Sequence, residues 1–94
     1  MSQKRIHGYE LETTYLQRVE MPSGARILSA QAQGGKLRLW VLASADPGRP
    51  TEKRLIRIFG TGYPCDAYPA DYVATVQIDG QAWHVFDEGE SEND

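Results

Sequence analysis

The stretch YVATVQIDGQAWHVFD, running from Tyr72 to Asp87, decides the fold class. Two runs rich in β-branched and aromatic residues, Tyr72 to Ile78 and Gln81 to Asp87, flank the dipeptide Asp79-Gly80. Asp-Gly between two alternating runs is the preferred sequence of a type I′ turn, whose twist matches that of the strands it joins. The stretch therefore predicts an antiparallel hairpin, and its period of two is the pattern to look for in the rest of the chain.

Upstream that pattern recurs. Lys36 to Ala43 alternates strictly, placing Leu37, Leu39, Val41 and Ala43 on one face and Lys36, Arg38, Trp40 and Leu42 on the other. Gly34-Gly35 joins this run to Ala25 to Gln33 as a second predicted hairpin. Glu52 to Phe59 reads as another strand, with Arg54 and Arg57 interleaved among apolar residues, and the Asp46-Pro47-Gly48-Arg49-Pro50 segment before it reads as a loop. Arg5 to Leu11 and Tyr15 to Met21 are further short strands. Gly60 to Asp71 is an irregular connection in which Tyr68 to Tyr72 can form one helical turn.

No segment sustains apolar residues at i, i+3, i+4 and i+7 across three turns, so helix is a minor component. The expected fold is all-β: a small antiparallel β-sandwich or a strongly curved barrel of six to seven strands. An α+β arrangement, with one short helix from Tyr63 to Tyr72 across a sheet, is the alternative. The expected core is Leu37, Leu39, Val41, Ile56, Ile58, Val76, Ile78 and Phe86.

Ninety-four residues suffice for one domain, and 40% hydrophobic with 24% charged residues predicts a compact soluble one. Five of the thirteen acids, Asp87, Glu88, Glu90, Glu92 and Asp94, lie at the C-terminal end. Without them, ten Lys and Arg face eight acids, so the net charge of −3 hides a mildly basic body. Residues 1–87 are expected to form a single β domain. The segment 88–94 has no apolar residue to offset the entropy of ordering, and is expected to be a disordered, dispensable acidic tail.

The single Cys65 excludes an intramolecular disulfide and a multi-cysteine zinc cluster, and suggests a reducing compartment. Met1 to Tyr9 is polar, so no signal peptide is expected, and no run approaches the length of a membrane helix. Neither nucleic acid nor a membrane is an expected partner, because the charge is too balanced for the first and the apolar runs too short for the second. His7, His84 and Cys65 show no metal-ligand spacing. No metal and no cofactor are expected.

The stretch Arg57-Ile58-Phe59-Gly60-Thr61-Gly62-Tyr63-Pro64 stands out for chemistry. Two glycines at a strand end let successive N–H groups converge on an anion, while Arg57 adds charge and Thr61 a hydroxyl. It lacks the lysine of a P-loop and the third glycine of a dinucleotide fingerprint, so Gly60 and Gly62 also read as a bulge and a turn that let the chain leave the sheet. Tyr63, Tyr68 and Tyr72 cluster in the same region, where aromatics beside an arginine suit a binding surface and can equally cover the open end of a small barrel. His84 reads foremost as a strand histidine hydrogen-bonded at the sheet face. The candidate ligand-binding residues are Arg57, Gly60, Thr61, Gly62, Tyr63 and His84, with none assigned as catalytic.

Met21-Pro22-Ser23-Gly24-Ala25, Arg57-Ile58-Phe59-Gly60-Thr61-Gly62 and Trp83-His84-Val85-Phe86, with Leu39-Trp40 and Val76-Gln77 between, resemble a family of small phage and prophage proteins of unassigned function. The resemblance covers Tyr9 to Phe86. In that family the position after the second glycine is often histidine; here it is Tyr63, which argues against a catalytic base there. The resemblance implies expression in the cytoplasm of a host bacterium and supplies no activity. The expected function is that of a phage accessory protein that binds a host protein, or sequesters an anionic small molecule or nucleotide, with oligomerisation through sheet edges left open. The alternative is a small enzyme acting on a phosphorylated or nucleotide substrate through Arg57, Thr61 and His84. The two differ in whether the glycine loop, Arg57 and His84 converge in one pocket.

Overall fold

The computed structural model describes residues 3–91 and consists of seven strands with one short 3-10 turn. In chain order these are β1 (Lys4–Leu11), β2 (Leu16–Pro22), β3 (Arg26–Gln33), β4 (Lys36–Ser44), β5 (Thr51–Gly60), the 3-10 turn Pro69–Asp71, β6 (Tyr72–Ile78) and β7 (Gln81–Glu90). The two hairpins legible from turn chemistry form as antiparallel pairs, β3 with β4 and β6 with β7. At the second of them Asp79 takes φ 51, the left-handed conformation that a type I′ turn requires.

The strands divide into two antiparallel sheets, β1-β4-β3 and β2-β5-β7-β6. The fold is therefore a sandwich, and the sheet does not close into a barrel. β3 and β6 lie alongside each other across the gap between the sheets, while β1 and β2 end the two sheets elsewhere. The α+β alternative is not realised, because the only helical piece among the described residues is the three-residue turn at Pro69–Asp71.

Between the sheets lies a core whose members follow from alternation. Leu37, Leu39, Val41 and Ala43 of β4 are buried against Ile56 and Ile58 of β5, Val76 of β6 and Val85 of β7, with Leu11 and Met21 at the flanks. Of the expected core, Ile78 is only half-buried, since it lies beside the turn. Phe86 is buried, but outside this cluster. It pairs with Arg57, one register step from the inward pair Ile58 and Val85, and so points out of the opposite face of the four-stranded sheet.

The C-terminal boundary differs from the sequence expectation. β7 does not end at Asp87: it runs to Glu90, where it pairs with Arg54 across a bulge, and the Ser91 N–H donates to the Lys53 carbonyl at 2.7 Å. Composition misjudged this segment because charge, not apolar burial, holds it. Glu88 lies 3.0 Å from the Arg57 guanidinium, and the Gly89 N–H donates to the Asp87 carboxylate at 2.9 Å. The remaining part of the expected tail, 92–94, lies outside the described residues.

Candidate functional site

Two features of the sequence position the candidate residues: β5 is longer than its neighbour β2, and the chain leaves β5 through two glycines. β2 pairs with β5 only as far as Leu16 opposite Arg57, and the Tyr15 carbonyl accepts one more bond from the Ile58 N–H at 3.0 Å. Beyond that point β5 projects past the end of β2. The chain then turns at Gly60, with the Tyr63 N–H donating to the Gly60 carbonyl at 3.2 Å and Gly62 at φ 91. This is a β-turn with a left-handed third residue, where glycine is preferred. A β-carbon on Gly60 would stand 3.1 Å from Gln81 Nε2, a tight approach to the far end of a flexible side chain, and 3.5 Å from the Tyr63 ring, an ordinary contact.

The returning segment covers a second, smaller core on the outer face of the four-stranded sheet. Tyr15, Phe59, Phe86 and Tyr72 meet edge to face in sequence, with ring centroids 5.3, 5.6 and 5.7 Å apart. Such pairs contribute roughly 0.5–1.5 kcal/mol each beyond their area burial. The Arg57 guanidinium lies 4.6 Å from the centroid of the Tyr15 ring and 4.9 Å from that of Phe59. It also donates to Asp66 at 2.5 Å, to Glu88 at 3.0 Å and to the Tyr15 hydroxyl. Burial alone would lower the pKa of this arginine, but the Asp66 and Glu88 carboxylates outweigh it and raise the value. Arg57 is thus a clamp whose charge is already matched by two acids.

His84 and Thr61 come together, with Thr61 Oγ1 2.7 Å from His84 Nε2. The other ring nitrogen, Nδ1, lies 3.0 Å from Thr75 Oγ1, which in turn is 2.7 Å from the Tyr72 hydroxyl. Each hydroxyl can donate or accept, so the imidazole is satisfied in either tautomer and when protonated. His84 is accordingly a hydrogen-bonded strand histidine at the sheet face, and Cys65 is an exposed free cysteine.

The candidate residues do not all converge. A groove of about 550 Å³ opens where β5 outruns β2, lined by Thr13, Tyr15, Tyr63, Pro64 and Trp83 together with Ile58, Phe59 and Gly60 of β5. Gly60 and Tyr63 line it; Arg57, Thr61, Gly62 and His84 do not. The Tyr63 N–H is spent inside the turn. Thr13, Tyr15 and Trp83 are groove residues outside the candidate set drawn from the sequence. Only the pairing of β2 with β5 brings Tyr15 beside Phe59, and no local signal in the sequence encodes that pairing.

The class defined by this fold is an antiparallel two-sheet β-sandwich with an aromatic groove at one sheet end. The chain belongs to the DUF7352 family, a domain of unknown function, whose family model matches residues 2–94. No curated protein and no solved structure matches the chain. Among the described residues, no helix is long and apolar enough to cross a membrane, and no three His, Cys, Asp or Glu side chains gather as a metal site.

Proposed function

We propose that this protein acts by binding another protein, and that the groove beside the Gly60–Tyr63 turn is its contact surface. The observation that carries the reading is the groove's aromatic wall: Tyr15 is 55% and Tyr63 68% exposed, and the Tyr15 ring is held against the Arg57 guanidinium. Large aromatic side chains on a prepared surface are the usual anchors of protein recognition, because they bury much area at little entropic cost. The family resemblance favours a phage-encoded accessory protein that engages a bacterial host protein in the cytoplasm.

Anion sequestration and catalysis draw less support. The cation meant for an anion, Arg57, already faces two carboxylates. The enzyme reading needs Arg57, Thr61 and His84 at one pocket, and the groove contains none of them. A pull-down from bacterial lysate with the wild-type chain and with Tyr63→Ser tests the proposal. A partner retained by the wild type and lost by the variant, at unchanged melting temperature, is the expected result. Saturable amide shifts at Arg57 to Tyr63 on titrating inorganic phosphate or a nucleotide would return the function to anion binding.

A further inference from the structure

A second depression of about 380 Å³ adjoins the aromatic groove, with Thr13 and Trp83 lining both, and the two side by side form a trough with that pair at its middle. The trough runs across the end of the sandwich, from the Gly60–Tyr63 turn to the tip of the β6–β7 hairpin. Its halves differ in chemistry. The first presents Tyr15, Tyr63 and Pro64. The second presents the carboxylates of Glu10, Glu12 and Asp79, with Lys36 as the cation among its lining residues. Lys36 lies 3.9 Å from Glu10, with both side chains more than half exposed, so it offsets one of three negative charges.

Resting on the reading that this surface binds a protein, we infer that its occupant is an extended, proline-containing segment of the partner carrying Lys or Arg beside the prolines. Three physical reasons converge on that chemistry. Exposed aromatic faces and a proline ring pack against pyrrolidine rings, and a polyproline II segment is already extended, so it loses little conformational entropy on docking. The two depressions lie on either side of Thr13 and Trp83, an arrangement that an extended chain can span, whereas a helix about 10 Å wide needs a single straight groove. The carboxylate half then sets the polarity: a basic residue next to the prolines fixes which way the segment lies.

A synthetic peptide of roughly ten residues, spanning about 30 Å in the polyproline II form, is the probe. It carries Pro-x-x-Pro followed by arginines, and two control peptides replace the prolines by alanine or the arginines by glutamate. The expected result is saturable amide shifts at Thr13, Tyr15, Tyr63 and Trp83. Affinity should fall about tenfold on reversing the peptide's charge and about threefold or more on losing its prolines. On the protein, Tyr63→Ala should weaken binding about tenfold. Glu12→Gln should weaken it about threefold and flatten its salt dependence. Both side chains are exposed, so neither change threatens the fold. Equal binding of the charge-reversed peptide, or no saturable shift at about 1 mM peptide, overturns the inference. A lysate partner lost on Tyr63→Ser, with no peptide shifting the trough, would sink this inference and leave the protein-binding reading standing. Peptide binding at the trough, with a lysate partner whose capture Tyr63→Ser leaves unchanged, would uphold the trough's chemistry and overturn its assignment as the contact surface for that partner.

Discussion

Arg54 and Arg57 stand on the same strand, three residues apart, and so emerge on opposite faces of the four-stranded sheet. Each takes a carboxylate from β7, Asp87 for the first and Glu88 for the second, both at 3.0 Å. Their remaining partners differ in kind. Arg54 is 7% exposed and bonds Glu52 of its own strand at 2.9 Å and the Ala25 carbonyl, at the entry to β3 of the other sheet, at 2.7 Å. It is a rivet between the two sheets. Arg57 reaches instead to Asp66 in the irregular segment and to Tyr15 before β2, and so tethers the segments that wall the groove. The same kind of side chain is structural where it ties one sheet to the other, and shapes a surface where it ties loops to a sheet face.

The largest effect should follow from breaking the rivet. Arg54→Ala leaves Glu52 and Asp87 without their guanidinium, and uncompensated buried carboxylates cost about 3–5 kcal/mol. Urea unfolding measures this, and a loss under about 1 kcal/mol would mean that water replaces the arginine. The same cluster sets an acid limb. Burial pushes the Glu52 carboxylate up, but the Gly24 N–H and Arg54 outweigh it and hold it below the ordinary 4.5. Its stabilisation is therefore present above that value and is lost as the pH falls below it, through the lower value in the folded protein. In urea melts across this range, Glu52→Gln should be less stable at neutral pH and less sensitive to acid than the wild type.

Breaking the tether should cost less. Arg57→Ala is expected to lower stability by about 1–2 kcal/mol, discounted because its partner Asp66 is largely solvated. The diagnostic is local: hydrogen exchange should accelerate at 61–68 far more than in β4, whereas Arg54→Ala should accelerate both. Uniform acceleration in the two variants would erase the distinction between rivet and tether. Deleting 89–94 removes the Glu90 pairing and the Ser91 bond to Lys53, and should cost about 1 kcal/mol, seen as a drop of roughly 4–8 °C in Tm. An unchanged Tm would restore the dispensable tail. Smallest of all, Asp66→Asn should change stability by less than about 0.5 kcal/mol, because the Asp66 side chain is 78% exposed.

The parts of the molecule legible in the sequence are those in which the deciding residues are neighbours. Asp79-Gly80 and Gly34-Gly35 each join two strands directly, so turn chemistry alone specified β6–β7 and β3–β4. The strict alternation of Leu37, Leu39, Val41 and Ala43 likewise marked the inner face of β4. Phe86 was legible as buried but not as belonging to the outer face, because Val85 and Phe86 are both apolar and parity is ambiguous in such a pair. In the candidate site, Thr61 and His84 were both singled out but their contact was not, and the groove itself was not foreseen.

Composition, the two hairpins, the alternation of β4 and the turn at Gly60-Thr61-Gly62 were determined by the sequence itself, since each depends on backbone preferences and side-chain period within about a dozen residues. Tertiary structure alone decided that β1 joins β4, that β2 falls short of the end of β5, and that Asp87 and Glu88 meet Arg54 and Arg57 from more than thirty positions away. Those choices rest on which strand edges and buried charges find partners once the chain is packed. A local reading cannot rank such pairings, because each long-range contact becomes favourable only when the whole sandwich has closed around it.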